Sequence, residues 1–264
     1  MKSQYKIMLS VLGVLFITMS ITSIGNSAII DQDTIELAYL FDEGSGTVAK
    51  DSSGNNRDAN IIGAEYVNGR FGKALQFDGN NNHLVVPDFA GVGALEPRTT
   101  VFWFKADGTR DHSWVKWGRN AGGEKYYIRA HVSGAQCFLR VEVNGGQNYG
   151  ADDVCNGEWR HCAVVFPEGG ESVQDHDLYV DGKQQTKAGA DKDMNTDGTS
   201  VSVNIGSRLT GHSFLQGMLD EVAIFNVDLT ENQINTIRNN GLKGALSVDP
   251  DGKLATSWAN IKTY

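Results

Sequence analysis

The sequence predicts an all-β fold, a two-sheet antiparallel sandwich with one short C-terminal helix. Three observations support this: about ten short strand-like segments, turn residues between them, and only one clear helical pattern. The 264 residues include 31 glycines and only 4 prolines. That balance is typical of many tight turns between short strands and argues against a proline-rich disordered chain.

The predicted strands are short, rich in β-branched and aromatic residues, and bounded by Gly, Asn or Asp. They lie at residues 35–41, 73–79, 83–87, 100–106, 125–132, 137–143, 159–166, 176–182, 201–207 and 219–226. Hairpin turns are predicted at residues 133–134, 144–145 and 181–182, where a Gly follows Ser, Asn or Asp. The segment at 159–166 is apolar on both alternating faces, which predicts an internal strand covered on both sides.

One helix is predicted at residues 228–241. Thr230 and Gln233 form a capping box at its start, and Gly241 provides a left-handed stop at its end. Its apolar residues are few: Leu229, Ile234 and Ile237. We therefore expect the helix to lie across an edge or an end of a sheet.

The first residues have the pattern of a signal peptide. Lys2 and Lys6 precede eighteen uncharged residues, and small residues follow near Ala28. We expect residues 1–28 to be a cleaved signal, 29–245 the folded domain and 246–264 a tail. An uncleaved N-terminal membrane anchor is the alternative, since eighteen uncharged residues nearly span a bilayer. In both cases the protein is expected to be secreted or exposed on the cell envelope.

The charge of the chain argues against a nucleic-acid partner. Asp and Glu number 32 against 23 Lys and Arg, a formal net charge of −9. No Lys/Arg cluster interrupts this balance, and phosphate binding needs a concentrated basic face.

Export places the three cysteines in an oxidising compartment, where disulfides form. Three cysteines can form at most one disulfide within the chain, which leaves one free thiol. Cys162 lies in an apolar strand, where a buried free thiol is common. We therefore favour a Cys137–Cys155 disulfide, although other pairings remain open. A zinc site with His161 is disfavoured, because the spacing matches no paired Cys-x-x-Cys arrangement.

Three segments together resemble a known family. They read YLFDEGSGTVAKDSSGNNRDANIIGAEYVNGRFGKALQFDGNNNHLVVP, then GEWRHCAVVF with LYVDGK, then FLQGMLDEVAIFNVDLTENQINTIRNNG. They resemble laminin-G-like, concanavalin A-type jelly-roll domains, and the likeness covers residues 35–241. It implies two curved antiparallel sheets, one of them concave. It also implies a non-catalytic module of a secreted protein that binds glycans or protein partners, often with a bound calcium ion.

The resemblance implies a structural calcium between an early loop and an Asp of the last strand. The matching positions are Asp51 and Asp220, with Asp78 as a third ligand. The segment 51–62 does not form an EF-hand by itself, because Asn56 stands where Gly is needed and Ile62 where a bidentate Glu is needed. The alternative is that Asp51 only caps a turn.

Catalysis is not expected. The chain lacks a Glu-x-Asp-x-x-Glu strand, a Gly-x-Ser-x-Gly turn and a His-Glu-x-x-His helix. Asp220 and Glu221 are adjacent, and on a regular strand they would point to opposite faces.

The candidate ligand-binding residues are Trp114 and Trp117, because sugar rings pack on exposed aromatic side chains. The alternative places both in the core, where most aromatic residues of a sandwich lie. The sequence thus predicts a secreted, non-catalytic recognition or adhesion module whose partner is a glycan or an extracellular or envelope protein. The alternatives are a structural envelope domain that binds other proteins, and a polysaccharide-degrading hydrolase or lyase.

Overall fold

A computed structural model describes residues 30–106, 108–196, 202–208 and 213–246. The predicted signal peptide and the tail from residue 247 onward lie outside the described residues. Within the described part, no helix is long and apolar enough to cross a membrane.

The described residues form a two-sheet antiparallel sandwich, as the sequence predicted, and each sheet has eight strands there. The first sheet contains β1 (Ile35–Tyr39), β4 (Glu65–Asn68), β5 (Lys73–Asp78), β7 (Arg98–Ala106), β12 (Trp159–Phe166), β13 (Asp177–Val180), β14 (Lys183–Gln184) and β16 (Gln216–Phe225). The second contains β2 (Val48–Ala49), β3 (Ala59–Ile62), β6 (His83–Pro87), β8 (Ser113–Gly118), β9 (Lys125–Ser133), β10 (Gln136–Glu142), β11 (Gln147–Asp153) and β15 (Ser202–Ile205).

The strand order shows how distant segments meet. The first sheet runs β14-β13-β12-β7-β16-β5-β4, and β1 pairs with β16 beside β5. The second runs β11-β10-β9-β8-β15-β6-β3-β2. The sequence pattern did not predict β8, which lies near the middle of the second sheet. It also did not predict β11, which lies at one edge of that sheet.

The main core lies between the two sheets, and β12 shows how the sequence builds it. Cys162, Val164 and Phe166 face this core, whereas Ala163 and Val165 face the opposite side of the first sheet. Both sides are buried, which confirms the prediction of an internal strand covered on both faces.

The helix α1 (Glu231–Leu246) covers the outer face of the first sheet. Its start is as predicted, because the N–H of Thr230 donates to Gln233 Oε1 over 2.9 Å and the N–H of Gln233 donates back to Thr230 Oγ1 over 3.4 Å. The stop at Gly241 is also as predicted, whereas the predicted placement at an edge or end of a sheet was wrong. Gly241 does take a left-handed φ of 70°, but the chain then makes a further helical turn. That turn adds Leu242, Ala245 and Leu246 to the apolar stripe, so the helix packs on the outer face of β1, β7, β12, β13 and β16.

The two sheets are therefore covered differently. Helix α1 and the main core bury the central strands of the first sheet on both faces. The second sheet packs on the core with one face, and no helix of the described residues covers the other. We call this other side the open face.

Candidate functional site

Trp114 and Trp117 do not form a ligand platform, which corrects the prediction for both. Each is fully buried in the main core. The ring of Trp114 packs edge-on against Phe104, with centroids 5.0 Å apart, and Trp117 stacks on Tyr126 at 4.1 Å. The indole N–H of Trp117 donates to the carbonyl of Val92 over 3.1 Å. The cause is a register shift between β8 and β9 around Trp114, which breaks the simple alternation of faces.

Asp51 serves as a turn cap. Its carboxylate accepts hydrogen bonds of 2.8 to 3.0 Å from the backbone N–H groups of Ala38, Ser53 and Arg57 and from the Ser53 hydroxyl. These four donors use the acceptor positions that an ion would need. The structure therefore agrees with the alternative interpretation, an Asx-type turn.

The predicted trio of Asp51, Asp78 and Asp220 is not brought together. Asp78 is exposed and accepts a hydrogen bond of 2.9 Å from the N–H of Asn80. Only His112, Cys137 and Cys155 form a group of three metal-binding side chains with ligand atoms within 4.8 Å, as far as the described residues show. Those two cysteines form a disulfide, the pairing favoured from the sequence, and so they are not metal ligands.

Asp220 instead belongs to a different acidic site, at a bulge in β16. The pairing of β16 with β7 shifts register after Asp220, and Glu221 takes a left-handed φ of 54°. Asp220 Oδ2 accepts hydrogen bonds from the N–H groups of Arg70 (2.7 Å) and Phe71 (2.9 Å) in the loop between β4 and β5. Glu221 accepts one from the N–H of Leu242 in α1.

A third carboxylate, Asp42, lies close enough to affect both acids. Burial raises the pKa of Asp220 to about 7 and that of Glu221 to about 8, and the charge of Asp42 adds to both shifts. Asp42 Oδ1 accepts a 2.9 Å hydrogen bond from the N–H of Lys73, at the end of the same loop. We call Asp42, Asp220 and Glu221 the acidic site.

Among the described residues, the three carboxylates of the acidic site do not all lie within 4.8 Å of one another. The feature that favours a cation there is a single oxygen of Asp220. Asp220 is fully buried, yet its Oδ1 atom has no hydrogen-bond partner in the described part of the chain. A buried carboxylate oxygen without a donor is costly, and a cation would satisfy it. Calcium prefers carboxylate and carbonyl oxygens, about six to eight of them, so loop carbonyls and water would complete the set.

The open face of the second sheet carries a continuous row of mostly polar side chains. Cα pairing in the sheet aligns Asn60, Val85, Asn204, Lys116, Tyr127, Glu142 and Gln147 across seven strands. We call these residues the polar row. Its centre, Lys116 and Tyr127, is buried, whereas Asn60 at one end is exposed and Gln147 at the other is half-buried. The row is therefore most buried at its centre and more accessible towards its ends.

A charged network borders the polar row. Glu142 pairs with Lys125, Arg129 and Arg140, and Arg129 also binds Asp111. Burial acts to raise the pKa of Glu142, but the hydrogen bond from Lys125 and the nearby guanidinium charges outweigh it, so the pKa lies below its ordinary value. Three cations therefore share two carboxylates, and we call these five residues the ionic cluster.

A pocket of about 250 Å³ opens at one end of the row. It is lined by Arg140, Glu142, Gly145, Gly146, Gln147 and Ala190. Nearby on the same face, the rings of His131 and Tyr149 stack with centroids 3.9 Å apart. Charged, amide and aromatic groups are the usual partners of sugar hydroxyls and sugar ring faces.

The sequence contains a signal for this face that the prediction did not use. In β9, Lys125, Tyr127, Arg129 and His131 occupy every second position, and the residues between them belong to the core. Four such polar or aromatic residues on one side of an otherwise buried strand indicate a polar face. The residues of β8 and β10 that lie beside them are known only from the strand pairing in the folded sheet, which the sequence alone does not reveal.

The fold is similar to several solved binding domains. Domain 4 of AbnA, a GH43 extracellular arabinanase from Geobacillus stearothermophilus solved in complex with arabinotriose, shares 19% identity over 78% of this chain and 98% of that one, with a TM-score of 0.60. The binding domain of Paraclostridial Mosquitocidal Protein 1 shares 16% identity over 79% of this chain and 52% of that one, with a TM-score of 0.57.

A third similar structure is that of botulinum neurotoxin type C, whose cell entry is dependent upon interaction with two ganglioside molecules. It shares 14% identity over 79% of this chain, with a TM-score of 0.56. This chain spans about half of each toxin structure. Identities this low establish the fold alone.

No curated protein sequence matches the chain. A family profile does match, over residues 78–235, more than half of the chain, and its description is the concanavalin A-like lectin/glucanases superfamily. The match includes most of the strands of both sheets and the start of α1. The chain belongs to the concanavalin A-like lectin/glucanases superfamily, as the resemblance of its three segments predicted.

Proposed function

We propose that the protein is an exported, non-catalytic carbohydrate-binding module that holds its glycan on the open face. The polar row is the observation that carries this proposal. It runs across seven strands of one sheet, on the face that no helix of the described residues covers. Side chains on a rigid sheet are well placed to bind the hydroxyls of an extended ligand.

The comparisons support a binding role. The arabinanase domain was solved with arabinotriose, and the type C neurotoxin interacts with gangliosides. Both ligands are saccharides or carry them. The shared fold makes a glycan the first ligand class to test.

The charges of the open face support a non-catalytic role. A glycosidase needs one carboxyl group with a raised pKa as its general acid. Glu142 has a lowered pKa and three basic partners, and Asp111 is paired with Arg129. Neither carboxylate is free to donate a proton or to attack a sugar.

Calcium is proposed as a structural ion at the acidic site rather than on the open face. The unpartnered Oδ1 of Asp220 and the nearby Asp42 and Glu221 carboxylates support this location. The ion would link β16 to the loop between β4 and β5, and it would neutralise acids that repel one another.

Export is supported by the Cys137–Cys155 disulfide, because such bonds persist mainly in oxidising compartments. The pattern of residues 1–28 agrees with it. Secretion and exposure on the cell envelope both satisfy these observations.

A glycan array with calcium present, followed by calorimetry on the strongest hits, tests the binding proposal. Asn204→Ala and Gln147→Ala each remove one amide from the polar row. Each is expected to weaken glycan binding about three- to tenfold, the value of one hydrogen bond. Gln184→Ala, an exposed glutamine on β14 of the other sheet, is the matched control and is expected to bind like the wild type.

An array without any hit would overturn glycan binding and favour a protein partner. Equal losses in the Gln147 and Gln184 variants would place the site elsewhere. Release of reducing ends from a polysaccharide by the wild-type protein would overturn the non-catalytic part of the proposal.

A further inference from the structure

Lys116 lies at the centre of the polar row. Its neighbours in β8, Val115 and Trp117, face the core, so the lysine points to the open face. Its Cα partners in the sheet are Tyr127 on one side and Asn204 on the other. Lys116 is only 3% exposed, so its side chain is almost completely withdrawn from solvent.

The Lys116 ammonium group has no counter-charge among the residues that the structure describes. No ion pair or hydrogen bond joins it to another described residue, and burial alone lowers its pKa to about 7. Lys125 on the same face is equally buried at 1% exposure, but it is paired with Glu142. A buried ammonium without a partner is costly, and proteins seldom keep one without a use.

The surroundings increase the demand for an anion. Lys125 lies 5.5 Å and Arg129 5.1 Å from the ring centroid of Tyr127, the row neighbour of Lys116. Arg208 is close enough to act on both Lys125 and Tyr127. The carboxylates of this network, Asp111 and Glu142, are already bound by Arg129 and by Glu142's other basic partners. Within the described residues, neither carboxylate of this network is left to pair with Lys116, and an anionic ligand would supply the missing negative charge.

We propose that Lys116 is the specificity-determining residue of an anionic subsite, which receives the carboxylate of an acidic sugar in the bound glycan. The proposal rests on the glycan-binding function above and names its ligand class, uronate-containing glycans. A carboxylate placed on Lys116 would pair the one buried cation of the row that lacks a partner. Burial makes such a charge-assisted hydrogen bond stronger than it is in water.

The test measures binding of three probes by calorimetry at pH 6: a galacturonate trisaccharide, its methyl ester and neutral arabinotriose. The wild type is expected to prefer the free acid to the methyl ester by about tenfold, the value of one charge-assisted hydrogen bond. Lys116→Met keeps the length and apolar character of the side chain and removes its charge. It is expected to lose this preference, so that its affinities for the free acid and for the methyl ester become about equal, whatever its affinity for the neutral probe.

Lys183→Met, an exposed lysine on β14 of the other sheet, is the matched control and is expected to keep the acid preference. Binding of the neutral probe with no advantage for the acid would overturn the subsite and leave the proposed function intact. A failure of every probe and of the glycan array would overturn the proposed function itself. An acid preference that persists in Lys116→Met would assign it to another cation.

Discussion

Two lysines of the open face show how one partner changes the chemistry of a residue. Lys125 and Lys116 are both nearly inaccessible, at 1% and 3% exposure. Glu142 neutralises Lys125, whereas burial shifts Lys116 towards its neutral form. Lys116, the lysine that lowers the stability of the fold, thus lies in the polar row where we propose that the ligand binds. Residues that cost stability are common at binding sites.

Replacement of Lys116 by Met is expected to stabilise the protein, most strongly at low pH. The lysine pKa is about 7 in the folded protein and about 10.4 in the unfolded chain, so the unfolded state holds the proton more tightly. Wild-type stability should therefore rise as the pH increases from about 7 to 10. At pH 6 the variant should gain on the order of 3 kcal/mol in the free energy of unfolding, and the gain should shrink by pH 9.5.

Urea unfolding at the two pH values measures this difference, with Lys183→Met as the exposed control. A loss of stability in Lys116→Met at both pH values would show that the ammonium group has a favourable native partner.

At the scale of elements, the bulge of β16 and the loop between β4 and β5 depend on each other. The Asp220 carboxylate lies so close to the loop that a Cβ at Gly69 would come within 2.5 Å of its Oδ2 atom. A Cβ at Gly72 would overlap Asp42 Oδ1, and Gly72 has a left-handed φ of 66°. The glycines allow both carboxylates to approach the backbone at the acidic site.

Calcium is expected to raise the melting temperature of the wild-type protein. A ligand at about 100 times its Kd stabilises by about 2.7 kcal/mol, which corresponds to roughly 5–10 °C for a domain of this size. Asp220→Asn should abolish the calcium effect and should not lower the melting temperature in chelator, because it removes a buried, poorly solvated charge. Asp78→Asn, in an exposed turn, should respond like the wild type. An equal melting temperature in calcium and in chelator would remove the ion from this site.

The sequence predicted strands with strong alternation and missed elements that depend on tertiary contacts. The sequence pattern of β12 was sufficient to predict a strand buried on both sides, because both faces of this strand are apolar. The β8 segment has two tryptophans among polar residues and a register shift, so its pattern resembled an exposed loop. The family resemblance pointed to Asp51, in an early loop of turn-forming residues, and Asp42 was not considered. Only the folded chain shows that those residues saturate Asp51, while Asp42 lies near β16.

At the scale of the whole molecule, unequal covering of the sheets separates stability from recognition. The central strands of the first sheet are buried on both sides, with α1 as their outer layer. One face of the second sheet packs against the core, and the other face carries the polar row and the ionic cluster. Substitutions on the open face should therefore affect binding more than folding, except at its buried centre.

Reduction of the Cys137–Cys155 disulfide is expected to destabilise the whole domain by about 3 kcal/mol, because the bond closes a loop with a sequence separation of 18. A chemical denaturation curve with and without dithiothreitol measures this. The double variant Cys137→Ala/Cys155→Ala should match the reduced wild type and should not respond to the reductant. Cys162 is a free buried thiol in both proteins. A wild-type curve that dithiothreitol leaves unchanged would contradict the expectation.

The pairing of β1 with β16 determines when folding can finish. Tyr39 lies opposite Val222 and Ile35 opposite Phe225. The first strand of the fold can therefore pair only after the last strand has been synthesised. Until the ribosome has made residue 225, an apolar β1 has no edge to join, and the two sheets cannot close around their core. Contacts between such distant segments form slowly. The edge of the first sheet at β1 is therefore completed only after almost the whole described domain has been synthesised.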